Sequence, residues 1–518
     1  MKLNDFTIWE GFFGINGEFY LSDSLSNFYD GAIATHGYDV LRKRWDPDME
    51  HSLNDVALPP KFLVNIDDLI GASKNNFAFI SPGLLSGEVI YHEDRNCYSQ
   101  ENNMHILEHL FFNEKPTEEE SLDGVCVPHF PNRILKHKDE LRKYFIKILG
   151  KDLFNLIESD KIKFILDSHQ ELMSIEFSET LLFLLDYVGL KNSCILMYNT
   201  QKFKNPKVIS WDYFLYDFEY DLEPLFSATE YFPLSDSNIE YLSEYKKPKR
   251  YVSYNANLHG HRLFNVLELY KNKLDKYGLI SALNRQNDTM ERLNEDMIFF
   301  LSFLPEYSIR DISDYENSVV ESLKEYYPKF PIILDIDVDF LQSGDGGTLS
   351  TKVRESYGDK INDDLDSKLG SIRSDRYIHI EHLIDTYFSV ISETSINSMH
   401  SEWDNDELVH LCEKTYKGLA SPHPFILYAN DGVLKYLRSI GFQTFPEMFD
   451  ESYDDEKDTH KRFNLVLNEI KKLCKMDIDE IHKKFVSVLP KIKHNHELLL
   501  SFDRKELLLN KLMDISNV

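Results

Sequence analysis

Apolar positions along the chain fall into two alternating kinds of run. Lys163-Phe164-Ile165-Leu166 and Cys194-Ile195-Leu196-Met197-Tyr198 are short apolar stretches between polar flanks, the pattern of strands covered on both faces. Ser178 to Tyr187, between them, carries a helical pattern. Farther on, Arg250-Tyr251-Val252-Ser253-Tyr254 reads as a strand, 255–260 as a loop and His261 to Leu274 as a helix. In that helix Leu263, Val266, Leu267, Tyr270 and Leu274 fall on one face of a 3.6-residue period. Glu413 to Ala420 predicts a short helix, Pro424-Phe425-Ile426-Leu427-Tyr428 a strand, and Asp431 to Ile440 a helix stopped by Gly441. From Asp458 onward the pattern is helical, with Phe463, Val466, Leu467, Ile470 and Leu473 in one stripe. Such alternation predicts parallel sheets flanked by helices, an α/β fold.

The polar link Glu244 to Arg250 divides two of these α/β runs. The simplest architecture is two Rossmann-like domains facing a cleft, residues 156–248 and 249–457. An N-terminal α+β region, 1–155, precedes them without a motif of its own, and a helical tail, 458–518, follows. Length agrees: the chain has 518 residues, and single cores stop growing near roughly 250–300 residues.

Composition narrows the partners. Aromatics make up 13% of the chain, too many for a disordered protein. The 57 Lys and Arg stand against 87 Asp and Glu, a formal charge of −30. That balance disfavours nucleic acid as a partner, because phosphate neutralisation needs a basic face. Cys97, Cys126, Cys194, Cys412 and Cys474 are scattered singly, as in a reducing compartment, with no zinc spacing. The N-terminus meets Asp5 and Glu10 before any long apolar run, unlike a signal peptide, and no stretch reaches the length of a membrane span. A cytoplasmic location is the expectation.

Three segments carry candidate chemistry. At the loop-to-helix junction 255–262, a helix N-terminus beside Arg262 offers amide donors and a guanidinium to an anion, with Asn257 in the same loop. Its plain alternative is a surface arginine near an Asn-rich turn. Glu413-Lys414-Thr415 opens the next helix, and an adjacent acid and base can divide the work on a sugar nucleotide: hydroxyls to the carboxylate, diphosphate to the ammonium. Its alternative is a solvated charge pair. Asp335, Asp337 and Asp339 share one face of a strand. Carboxylates so spaced stay wet or bind a divalent cation, so a metal is conceivable there, though a plain acidic strand end is favoured. With Asp167, His169 and Glu171 they resemble in part the ligand sets of arginase-like hydrolases. Glu171 stands where those enzymes have Asp, and no glycine-rich first-ligand segment precedes it.

A wider resemblance covers about residues 160 to 475. The words are Ile165-Leu-Asp-Ser-His-Gln-Glu171, Lys249-Arg-Tyr-Val-Ser-Tyr-Asn255 with His261-Arg262, and Tyr387 to Thr394. Then come Cys412-Glu-Lys-Thr-Tyr-Lys417, His423-Pro-Phe-Ile-Leu427, Gly441-Phe-Gln-Thr-Phe445 and Asp450-Glu-Ser-Tyr-Asp454. In this order they resemble glycosyltransferases common in large viruses, phages and some bacteria, distant relatives of the α-1,3-fucosyltransferases. The resemblance implies a GT-B-like fold whose C-terminal Rossmann domain holds a nucleotide diphosphate sugar. It further implies that Arg262 and Lys414 contact the diphosphate and Glu413 the ribose or sugar, with Asn257, Glu393 and Thr415 also on the donor side. Two departures stand out: Ser392-Glu393-Thr394 replaces the family's Phe-Glu-Asn-Ser word, and Cys412 replaces the usual Thr before Glu-Lys.

The preferred expectation is therefore a glycosyltransferase that moves a sugar to an unidentified acceptor hydroxyl of a glycan, protein or small molecule. It would work without a cofactor; a divalent metal is conceivable but not favoured. Glu171 and Asp167, after the first strand of the acceptor-side domain, are the candidates for catalytic base. The alternatives are a metal-dependent hydrolase using Asp167, His169, Asp335 and Asp337, or a silent member that only binds a glycan or partner.

Overall fold

A computed structural model describes residues 6–13, 19–23, 75–80, 89–92, 97–100, 151–168, 194–199, 205–216, 234–255, 260–282, 290–294, 320–329, 380–396 and 409–502, with isolated positions between them. The chain is α/β and divides into two compact units, Met1–Trp211 with Asp503–Val518, and Asp212–Phe502.

The first unit is built on a six-stranded sheet. Its strands are β1 (Phe6–Phe13), β2 (Phe19–Asp23), β3 (Asn75–Ile80), β6 (Lys163–Ser168), β7 (Cys194–Tyr198) and β8 (Val208–Ser210), in the order β2-β1-β3-β6-β7-β8. All neighbours run parallel except the edge strand β2. A hairpin of β4 (Val89–His92) and β5 (Cys97–Gln100) stands apart. Helix α1 (Lys151–Glu158) buries Phe154, Leu156 and Ile157, and Arg142 lies 4.7 Å from the Phe154 ring centroid. Strands from either side of residue 155 thus share one sheet, where the sequence suggested a separate N-terminal region. The helix expected at 178–187 lies mostly outside the described residues.

The second unit has a four-stranded, all-parallel sheet in the order β10-β9-β11-β12, from β9 (Lys249–Ser253), β10 (Gly278–Ile280), β11 (Thr386–Ser392) and β12 (Phe425–Tyr428). Strands β11 and β12 are buried at every position, so they read as unbroken apolar runs with no polar alternation. The helices are α2 (Tyr213–Tyr216), α3 (Asp236–Glu244), α4 (Gly260–Lys271), α5 (Ile380–Ile384), α6 (Glu413–Ala420), α7 (Val433–Ser439), α8 (Thr459–Lys475) and α9 (Ile478–Leu499).

Strand periodicity assigns the layers. Successive strand residues face opposite sides. Ser392 accepts a hydrogen bond from Asn265 of α4 at 3.1 Å, and Tyr428, its partner in the register, packs on Phe463 of α8 at 4.9 Å between centroids. Ile391 points the other way, to Gly418 of α6, where an added Cβ would meet Ile391 and Phe425 at 2.9 Å. Tyr387 on that same side meets Phe485 of α9 edge-on at 5.7 Å. The sheet is therefore sandwiched between α4 with α8 and α6 with α9.

Two expected boundaries move. Segment 244–250 lies inside the second unit: Lys247 is 1% exposed and donates to the Leu383 and Ile384 carbonyls at the end of α5. The helices after Asp458, expected as a tail with an apolar stripe, belong to the core of this unit. Phe463, Val466, Leu467, Ile470 and Leu473 are all buried, and α9 packs on α3, α6 and β11. No helix among the described residues is long and apolar enough to cross a membrane.

Candidate functional site

In the second unit the chain leaves β9 toward β10 and leaves β11 toward β12, in opposite directions across the sheet. Open α/β sheets bind ligands at the carboxyl ends of the strands where connections diverge in this way. Here that point lies between the ends of β9 and β11. Segments 254–259 and 393–396 follow those strands and lead to the cationic residues singled out in the sequence.

Glu393 directly follows β11, is 0% exposed and continues the ladder through its N–H to Tyr428 O at 2.9 Å. Its carboxylate turns toward the α6 side. One oxygen accepts from the Thr415 backbone N–H at 3.2 Å and from the Thr415 hydroxyl; the other accepts from the N–H groups of Thr394 and Cys412, each at 3.2 Å, and from the Cys412 thiol at 2.6 Å. Cys412 is the N-cap of α6 and makes no side-chain capping bond of its own. A carboxylate from the strand end thus satisfies the helix start, where the macrodipole favours negative charge. Glu393 was expected to face the donor; its hydrogen-bonding capacity is instead taken up inside the protein.

Thr394 turns to the opposite side and accepts from the Arg262 guanidinium at 3.1 Å. Arg262 stands in the first turn of α4, 6% exposed, with its Nε buried and lacking a hydrogen-bond partner among the described residues. His261 donates from Nε2 to the Glu393 carbonyl at 2.8 Å. Two consecutive residues after β11 therefore hold the starts of two helices on opposite faces of the sheet.

Glu413 and Lys414 form an ion pair at the start of α6, with 14% and 21% of their side chains exposed. Burial alone would raise the Glu413 carboxyl, but Lys414 first, then Lys417 and Arg262, outweigh it and hold it well below the usual carboxylate range. Burial alone would lower Lys414, but the carboxylates of Glu413 and Glu393 keep it firmly protonated. Lys414 also lies 3.3 Å from the Cys412 sulfur. That thiol is pushed up by burial and by Glu393, so it stays protonated and serves as a donor.

Of the residues expected at the site, the fold brings together Arg262, Glu393, Glu413, Lys414 and Thr415. Asp167 is the fifth residue of β6, opposite Met197 in the register, near the carboxyl end of a strand in the first unit. Asn257, His169, Glu171, Asp335, Asp337 and Asp339 lie outside the described residues. Among the described residues no three His, Cys, Asp or Glu side chains cluster as a metal would require.

Several participants escaped the sequence. Asp212 is 0% exposed, and its carboxylate accepts from Tyr416, from Tyr436 at 3.0 Å and from the Leu215 N–H at 3.3 Å. Burial, helped by nearby Glu393 and opposed by those hydrogen bonds, pushes its carboxyl up to about 6. Arg462, 1% exposed, donates to the carbonyls of Ile396 and Ala429 after β11 and β12, at 2.6 and 2.9 Å, and to Glu456 at 2.6 Å. Asp454 accepts from Leu434 and Lys435 at 2.8 and 2.9 Å and so closes the start of α7. The lone signal for Arg462 was a cation bordering an apolar helical stripe. Compared with known protein families, curated proteins and solved structures, the chain matches none.

Proposed function

We propose that the protein is a glycosyltransferase and that its second unit binds a nucleotide diphosphate sugar at the carboxyl ends of β9 and β11. One observation carries the reading: a buried guanidinium, Arg262, whose Nε lacks a hydrogen-bond partner among the described residues, in a helix start at the point where strand connections diverge. The other helix starts beside it are taken. Glu393 closes α6 and Asp454 closes α7, whereas the first turn of α4 contains no acidic residue. An anion arriving there finds helix amides and Arg262 together.

The Arg262 charge reaches both members of the Glu413–Lys414 pair, and Glu413, held ionised, can accept from a hydroxyl instead. Donor binding would exchange that internal pair for two pairs with the ligand: ammonium with diphosphate, carboxylate with ribose or sugar hydroxyl. In the transfer step the acceptor oxygen forms a bond to the anomeric carbon while the bond from that carbon to the diphosphate oxygen breaks. The acceptor proton passes to a base, and Arg262 and Lys414 stabilise the departing diphosphate. Asp167 and Glu171 are the candidates for that base. The resemblance of the sequence words to viral and bacterial glycosyltransferases supports the same reading.

The test is a thermal-shift panel of UDP, GDP, other nucleotides and Mn²⁺, with and without chelator. UDP or GDP should raise the unfolding temperature regardless of chelator. R262K should keep the fold yet bind nucleotide at least about tenfold more weakly, because an ammonium cannot replace a planar, two-donor contact. Stabilisation by Mn²⁺ alone, without any nucleotide response, would instead favour the metal-dependent hydrolase.

A further inference from the structure

The internal bonds of Glu393 assign it a different part from the residues around it. We propose that Glu393 is a positioning residue: a carboxylate supplied by β11 as the missing cap of α6, which sets Glu413 and Lys414 in register with Arg262. The inference rests on the donor-site reading above for what is positioned, but not for the cap itself.

An N-cap side chain normally accepts from the backbone N–H of the second or third helical residue. Cys412 occupies that place in α6 with extended backbone angles, yet a thiol is a poor acceptor and its sulfur makes no such bond. The N–H it would take belongs to Thr415, the third residue of the helix, and goes to Glu393 at 3.2 Å. The thiol itself has become a donor to the same carboxylate. With the Thr415 hydroxyl and the Cys412 N–H added, residues on both sides of Glu413-Lys414 are pinned to one buried group. The same residue reaches α4 through its own carbonyl, which receives His261, and through the adjacent Thr394, which receives Arg262. Both cations are thus referenced to a two-residue segment at the end of one rigid strand. A fully buried carboxylate with five internal donors has no lone pair turned toward a ligand, so it acts through the helix it holds.

A cap role and a ligand role differ in what rescues them. E393Q keeps the shape but presents an amide where donors converge; adding C412S places a hydroxyl oxygen at the N-cap, able to accept the Thr415 N–H. Amide hydrogen exchange of the 412–416 segment and calorimetric titration with GDP and UDP are measured on the wild type, E393Q, C412S and the double variant. E393Q should speed exchange of 412–416 and weaken nucleotide binding, each about tenfold, the scale of a lost cap. The double variant should recover most of both. Unchanged exchange in E393Q overturns the cap, and recovery of exchange without recovery of nucleotide affinity overturns positioning in favour of direct contact. If the wild type binds neither nucleotide, the donor-site reading fails, while the exchange data still decide the cap. If E393Q does not fold, T415V removes one donor from the same oxygen; faster exchange of the segment supports the cap, and unchanged exchange overturns it.

Discussion

At the scale of single residues, Asp212 shows how a buried acid can be useful and costly at once. It gathers two tyrosine hydroxyls and a backbone N–H, from Tyr416, Tyr436 and Leu215, yet its carboxyl rises from an ordinary 3.8 to about 6 because burial, helped by nearby Glu393, outweighs those hydrogen bonds. The sign of the consequence follows from proton linkage. Between these two values the folded chain holds a proton that the unfolded chain has released, so stability falls as pH rises from about 4 to about 6. The two-unit rise corresponds to about 3 kcal/mol, lost by the time Asp212 is ionised. Across that range the unfolding temperature should decline more steeply for the wild type than for D212N, and the two slopes should become parallel above about pH 7. Equal slopes from pH 4 to 6 would show that Asp212 ionises in the fold like an ordinary carboxylate. Nothing in the sequence announced this residue, since Asp212 and Tyr416 are separated by 203 intervening positions and their meeting is purely tertiary. The same holds for Lys247, which burial brings down to about 7 and which stands in what read as a polar link. Glu413 and Lys414 were legible because their chemistry is local: neighbours in sequence at the start of one helix.

Among elements, the strands and helices that carried a clear period came through well, and the ends show why. The helix expected from Glu413 to Ala420 is found with those bounds, and Gly441 ends α7 in the left-handed conformation at φ 99°. Strand β9 begins and ends one residue earlier than its apolar pattern suggested, because Lys249 already pairs with Thr386 while Tyr254 has left the ladder. What the period could not reveal is how helix starts are closed, since the capping groups come from distant segments. For α7 the N-cap is Gly432, which has no side chain, and Asp454 supplies both bonds from 20 and 19 residues away. D454A should therefore cost about 1–2 kcal/mol, the range of a lost cap. That should lower the unfolding temperature by about 2–6 °C for a unit of this size. D454N, which keeps one acceptor oxygen, should lose less. Differential scanning calorimetry separates these outcomes; an unaltered D454A would mean that water replaces the carboxylate without penalty.

For the molecule as a whole, length and alternation foretold α/β organisation, but pattern alone did not say what the C-terminal helices cover. A stripe of Phe463, Val466, Leu467, Ile470 and Leu473 says that one face is buried, not against what. In the fold that face covers β12 and α4: Phe463 packs on Tyr428 at 4.9 Å and on Phe264 at 6.4 Å between centroids. Arg462 beside it satisfies the carbonyls of Ile396 and Ala429, which follow β11 and β12. Helix α9 then covers the other face, with Phe485 against Tyr387 and His496 bonded to the Ala420 carbonyl at 2.9 Å. Removing residues 458–518 would leave α4 and α6 alone to cover the two faces of a parallel sheet, an arrangement found almost solely when both are covered. It would also strip partners from buried carbonyls. A chain ending at Lys457 should therefore lose cooperative unfolding of the second unit and the near-ultraviolet circular dichroism of its packed tyrosines. A chain ending at Phe502 retains α8 and α9 and should keep both signals for that unit. If the shorter chain unfolded cooperatively with its aromatic signal intact, these helices would be an appendage after all. Fusion of a compact domain after Lys457 in place of the native helices should not restore the signal, because the requirement is for this apolar stripe and this arginine.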